Sequence, residues 1–173
     1  IIAVGLAICL PGVSRAGWTS LARTAPGGVA LTLLLPDGTV MAASRTTDPA
    51  ETPTSSGSKI WYRLTPDSSG SYANGTWTTL ASSISTRLWY SSQILNDGRV
   101  FVAGGEYGTG GSLAEIYNPW DNTWTAAAAP GVFLSDSVSK VLENGTILVA
   151  PASGTATFVY NPGTNVWSSG PLP

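Results

Sequence analysis

An all-β chain, built from three copies of one four-stranded antiparallel unit, is the expectation for these 173 residues. Three observations lead to it. Asp37-Gly38, Asp97-Gly98 and Asn144-Gly145 are dipeptides that accept the positive φ angles of a tight hairpin turn. Their flanks are β-branched and aromatic runs of strand length, and no window keeps helical spacing through three turns. The pattern also repeats: Trp77, Trp124 and Trp167 recur at a period of about 47 residues.

The first unit reads ALTLLLPDGTVMAAS (Ala30–Ser44), KIWYRL (Lys59–Leu64) and GTWTTL (Gly75–Leu80). The second reads WYSSQILNDGRVFVAGG (Trp89–Gly105), LAEIYNP (Leu113–Pro119) and NTWT (Asn122–Thr125). The third reads SDSVSKVLENGTILVAP (Ser135–Pro151), ATFVYNP (Ala156–Pro162) and NVWSS (Asn165–Ser169). In each unit a hairpin supplies the first two strands, a Tyr-bearing run the third and a short Trp-bearing run the fourth. Tyr62, Tyr117 and Tyr160 are aligned as the repeated tyrosines. Pro119 and Pro162 end their third strands, where no ladder donor is lost. The units fall at about 29–80, 87–126 and 135–170. A four-stranded meander at this period matches the blade of a β-propeller. The repeated aromatic faces are then expected to bury between neighbouring blades. Closed propellers need more than three blades, so a ring would need further blades of a longer chain or a second copy.

Composition excludes more than it assigns. Only 10% of residues are charged and the net charge is −2, which leaves no basic patch for nucleic acid. Histidine is absent, so a Ser-His-Asp triad, a Cys-His dyad and any His-ligated metal site are excluded within these residues. The single cysteine, Cys9, allows no internal disulfide. Ile1–Leu10 is apolar but too short to span a bilayer, and Ser14-Arg15-Ala16 has a signal-peptidase pattern. Residues 1–16 are therefore read as the end of a secretory signal and 17–173 as a partial propeller. Secretion to the extracellular space or cell surface follows. Asn74-Gly75-Thr76 and Asn144-Gly145-Thr146 fit the N-glycosylation sequon and are equally ordinary turn sequences. The glycine-rich run 104–111 precedes a strand and lacks a P-loop lysine, so nucleotide binding is not expected.

Gly104-Gly105, then Tyr117, then Trp124 resembles the kelch repeat, and the third unit keeps the Tyr160 to Trp167 gap without the double glycine. The second unit is similar to a blade of the galactose oxidase family, secreted kelch propellers with a copper–radical site. Thr86 to Ser92, followed by Asp97 to Phe101 and the double glycine, carries that resemblance. It implies that Arg87 corresponds to the arginine that contacts the family's sugar substrate. The copper site does not carry over. The family's Tyr-His pair would fall at Gly28-Val29, Leu88-Trp89 or Ser135-Asp136, and none of these has the His. No catalytic or metal-binding residue is assigned, and no cofactor is expected in this chain.

A meander alternates its loops between two ends. Arg87 and Trp89 enter the second unit, Glu106 and Tyr107 follow its double glycine, and Asp136 enters the third. Arg45 and Glu51 lie on the long loop at the same end of the first. Rigid scaffolds build sites from such loops. Arg87, Trp89, Glu106, Tyr107 and Asp136 are the candidate ligand-binding set, suited to a glycan by stacking and hydroxyl hydrogen bonds, or to an extracellular protein. If they serve no ligand, Arg87 pairs with Glu106 or faces solvent. A non-catalytic binding module is the leading expectation. Part of a galactose oxidase-like copper oxidase, with its metal ligands elsewhere, is the alternative.

Overall fold

A computed structural model of the chain describes residues 17–45 and 57–172. The signal segment expected at 1–16 and the loop residue Glu51 lie outside the described residues. The strands are β1 (Val29–Leu34), β2 (Val40–Ser44), β3 (Trp61–Thr65), β4 (Thr76–Thr79), β5 (Arg87–Leu88), β6 (Ser91–Ile94) and β7 (Val100–Ala103). They continue as β8 (Tyr107–Gly108), β9 (Ala114–Asn118), β10 (Thr123–Ala127), β11 (Val138–Val141), β12 (Ile147–Ala150), β13 (Phe158–Asn161) and β14 (Val166–Ser169). They form three four-stranded antiparallel meanders, β1 to β4, β6-β7-β9-β10 and β11 to β14, plus a short β5-β8 ladder. The described residues contain no helix.

The Asx-Gly turns hold one pattern three times. Leu35 N–H donates to Thr39 O at 2.8 Å and Gly38 N–H to Leu35 O at 2.9 Å. Leu95, Gly98 and Arg99 repeat this, as do Leu142, Gly145 and Thr146. Because each meander reverses at every strand, these turns and the β3–β4, β9–β10 and β13–β14 turns share one end, the hairpin end. The β2–β3, β7–β9 and β12–β13 connections lie at the other, the loop end.

The three sheets stack in chain order, and strand alternation decides which residue meets which neighbour. Val100 and Val102 of β7 pack toward the first sheet with Met41, Ala43, Trp61 and Tyr117. Phe101 and Ala103 of the same strand pack toward the third with Ile147, Val149 and Tyr160. The middle sheet is therefore buried on both faces, which is why all four β7 residues are fully buried. Phe101 stacks on Tyr160 at 4.9 Å, and Trp61 lies 5.2 Å from Trp124.

Each later sheet also grips the linker that precedes it. Trp124 Nε1–H donates to Ala81 O at 3.0 Å, while Ala81 N–H donates to Asn122 Oδ1 at 2.9 Å. Asn122 Oδ1 also accepts from Tyr117 Oη at 2.9 Å. Trp167, Asn165 and Tyr160 repeat the arrangement on Ala128. In the first sheet Trp77 Nε1–H donates to Arg23 O at 3.1 Å. Trp124 and Trp167 thus bridge units, as expected, whereas Trp77 ties the first sheet to the segment that precedes it. The tyrosine alignment needs one correction: Trp77 stands opposite Leu64, whereas Trp124 and Trp167 stand opposite Tyr117 and Tyr160. Tyr62 is the register mate of Ala42 and lies two residues off the repeated position.

Candidate functional site

The candidate site lies at the loop end, where the β7–β9 connection meets the segments leading into β6 and β11. Its foundation is Arg87. The residue is 2% exposed. Nη1 donates to the carbonyls of Gly104 at 2.5 Å, Gly110 at 2.6 Å and Leu113 at 3.0 Å. Nη2 forms a 2.7 Å ion pair with Glu115. Glu115 also accepts the N–H groups of Ile84 at 2.7 Å and Ser85 at 3.0 Å. A buried charge of either sign needs such a partner set. Arg87 is therefore turned inward, with Glu115 as its partner rather than Glu106 or solvent. It supports the site from beneath and presents no donor to a ligand there. Glycine makes room for it: a Cβ on Gly110 would collide with the guanidinium. Gly104, at φ +78°, lets the loop press against Leu134.

The other four candidates converge above this base. The Trp89 ring meets Tyr107 edge to face, with centroids 5.3 Å apart. Tyr107 is held there because its backbone pairs with Leu88 in the β5–β8 ladder. Glu106 N–H donates to Leu88 O at 3.0 Å, which sets its side chain beside the same pair. Desolvation, the charge of Asp136 and a hydrogen bond shared with Asp136 push the Glu106 carboxyl above its ordinary range, against a bond to Tyr107 that lowers it. That contact joins the second unit's loop to the segment entering the third.

Two of the four occupy unfavourable backbone. Trp89 sits at φ +54° and Asp136 at φ +43°. A bulky residue in this region is a true outlier, and each such position costs about 1–3 kcal/mol. Trp89 is 55% exposed despite its size. Its indole borders a cleft of about 240 Å³ lined by Val29, Ala30, Arg45 and Leu88. A second cleft, of about 180 Å³, runs between Trp89, Tyr90, Ala30 and Leu31. Arg45 is exposed, with its aliphatic stem over Gly28, so it offers a cation beside this cleft.

Sequence reasoning passed over Glu115 as a partner. The signal was present, since a lone acid inside the apolar strand run LAEIYNP requires a buried cation. Among the described residues no group of three or more His, Cys, Asp or Glu is placed to hold a metal ion. A copper–radical centre does not fit this donor set, because the sequence has no histidine. No helix among the described residues is long and apolar enough to cross a membrane.

No family model matches the chain, and no curated protein matches it. Solved structures do. One is a fungal alcohol oxidase, described as having catalytic diversity among the AA5 family and solved in complex with copper. It superposes with a TM-score of 0.60 at 18% identity, over 82% of this chain and 30% of its own. At that identity the likeness is one of fold. The chain spans under a third of that oxidase's length.

Proposed function

We propose that the three stacked sheets are blades of a kelch-type β-propeller, secreted, and that the loop end is a non-catalytic binding face for a glycan. The observation that carries this reading is Trp89. It is a large aromatic held in left-handed backbone, left half in water, and flanked by Tyr107 on one side and the Arg45 cleft on the other. Strain retained at an exposed aromatic is a cost that packing does not explain, and strained residues cluster at ligand sites. A sugar ring could stack on the indole while Arg45, Glu106 and Asp136 meet its hydroxyls. Sheets stacked with open outer faces also suit completion by further blades of a longer chain, or by a second copy.

The test compares the intact chain with Trp89→Gly on a panel of neutral and acidic oligosaccharides. Glycine accepts the angle that Trp89 is forced into, so the variant keeps or gains thermal stability while losing retention of the glycan. Equal retention by the variant, or none by the parent, overturns the reading. A protein ligand bound through the same residues would replace the glycan and keep the face.

The fold likeness to a copper-bound alcohol oxidase supports a second reading, in which the chain is part of a larger oxidase. Its copper ligands would have to come from outside these residues. Copper-dependent oxidation of a primary alcohol by a longer protein containing this segment, abolished by altering a Tyr-His pair elsewhere, would favour it.

A further inference from the structure

A separate cleft opens at the hairpin end, across the sheets from the loop-end site. It holds about 230 Å³ and is lined by Leu35, Pro36 and Asp37 of the first sheet and Gly98, Pro119 and Trp120 of the second. Trp120 is 70% exposed. Its indole is nonetheless placed, since a Cβ on Gly98 would come 3.0 Å from Trp120 Cη2 and 3.4 Å from Pro36 Cγ.

The chain contains its own control. The junction between the second and third sheets is built from the same turns, Leu95-Asn96-Asp97-Gly98 and Asn161-Pro162-Gly163-Thr164-Asn165. In the β9–β10 turn Trp120 N–H donates to Asn118 Oδ1 at 3.2 Å. In the β13–β14 turn Gly163 N–H donates to Asn161 Oδ1 at 2.9 Å. Asn122 and Asn165 then occupy the same left-handed position, at φ +58° and +56°. The turn therefore forms with no side chain where Trp120 stands, so the fold does not require the indole.

Two further differences separate the junctions. Asn96 replaces Pro36, removing an apolar wall. Asp97 Oδ2 is consumed by Arg99, at 2.7 Å from Nη2 and 2.8 Å from Nε. Thr39 stands where Arg99 would be, and its N–H and hydroxyl take only Oδ1 of Asp37, at 2.9 and 2.7 Å. Oδ2 of Asp37 is left able to accept. Burial pulls the Asp37 carboxyl up, but the Thr39 bonds and the Arg63 charge hold it below its ordinary value, so it is ionised near neutrality. Arg63 reaches into the same junction and donates to Pro119 O at 3.3 Å. Acid and base there offset each other, which suits a neutral, hydroxylated occupant better than a cation.

We propose that this cleft is a sugar-binding subsite, in which one neutral hexopyranose ring lays its C–H face on Trp120 between Pro36 and Pro119 and donates a hydroxyl to Asp37 Oδ2. The polarised C–H groups of the sugar meet the negative face of the indole. The subsite is independent of the loop-end reading and uses none of its residues.

The experiment follows the indole N–H resonances of the intact chain during titration with cellotetraose and, separately, with lactose. Trp120→Gly assigns the Trp120 peak and copies the third sheet's turn, so the variant folds. The expected result is a saturable shift of that peak with at least one of the two sugars. Affinity should fall about tenfold or more in Trp120→Gly, the scale of a lost aromatic face. Asp37→Asn, which keeps the turn acceptor, should weaken binding severalfold, and Trp89→Gly should leave the Trp120 shift intact. No saturable shift with either sugar overturns the proposal. So does equal affinity in Trp120→Gly, or a Trp120 shift produced by a proline-rich peptide and by neither sugar.

Discussion

Arg87 and Glu106 show how two charged side chains nineteen positions apart at one loop end can have opposite fates. Arg87 is enclosed by three carbonyls and a carboxylate, so its loss leaves Glu115 as an uncompensated buried charge. Arg87→Ala should cost about 3–5 kcal/mol in urea unfolding. Replacing the pair by Met and Leu should recover only part of this, because the Ile84 and Ser85 N–H groups lose their acceptor. Glu106 lies at the surface, partly desolvated, and faces Asp136. Its folded carboxyl binds a proton more tightly than the unfolded one. Its contribution to stability is therefore full below the ordinary value of 4.5 and is lost as pH rises through the raised folded value. Glu106→Gln should accordingly raise the melting temperature at neutral pH, with the gain vanishing under more acid conditions. Thermal melts across that range, at low salt, check the sign. The convergence of Trp89, Tyr107, Glu106 and Asp136 was legible because loop alternation in a meander is fixed by topology. The inward turn of Arg87 was legible only in part: the apolar run around Glu115 calls for a buried cation, but nothing local to Arg87 says that this cation is the one, because its partner lies on β9.

At the scale of the strand and turn, the grip on each linker is the device that joins one sheet to the next. Asn122 does two jobs: it adopts the left-handed angle, and its Oδ1 accepts from both Tyr117 and Ala81. The two jobs can be separated. Asn122→Gly keeps the angle and loses the acceptor, at a cost of about 1 kcal/mol. Asn122→Ala loses the acceptor and adds backbone strain, for about 1–2 kcal/mol more. Chemical denaturation of the three proteins should give that order, and equal stability of the Gly and Ala variants would show that the angle is not strained. The hairpin turns were legible from Asx-Gly alone. The register of the first unit was not. Tyr62 and Leu64 are two apart and so share a face, and alternation cannot tell which of them stands opposite Trp77. The insertion between β3 and β4 removed the spacing that would have decided it.

Across the whole molecule, the middle sheet owes its stability to both neighbours. Its apolar residues divide by strand alternation between two cores, one shared with the first sheet and one with the third. That division could be read from VFVAGG and LAEIYNP, which are apolar at nearly every position rather than at alternate ones. The number of stacked sheets followed from the repeat. The exposed cleft at Trp120 did not follow, because Trp120 looks in sequence like any turn residue. Only the comparison with Gly163 in the matching turn marks it as surplus to the fold.

The linker grip also bears on how the chain is made. Ala81 leaves the ribosome well before Asn122 and Trp124, the residues that will accept its N–H and donate to its carbonyl. Ala128 waits in the same way for Asn165 and Trp167. Each nascent sheet therefore carries an unfinished edge until its successor emerges, so assembly advances in one direction with synthesis. A pause in translation between the second and third units would leave Phe101 and Ile116 in water at the moment when association with other nascent chains is easiest.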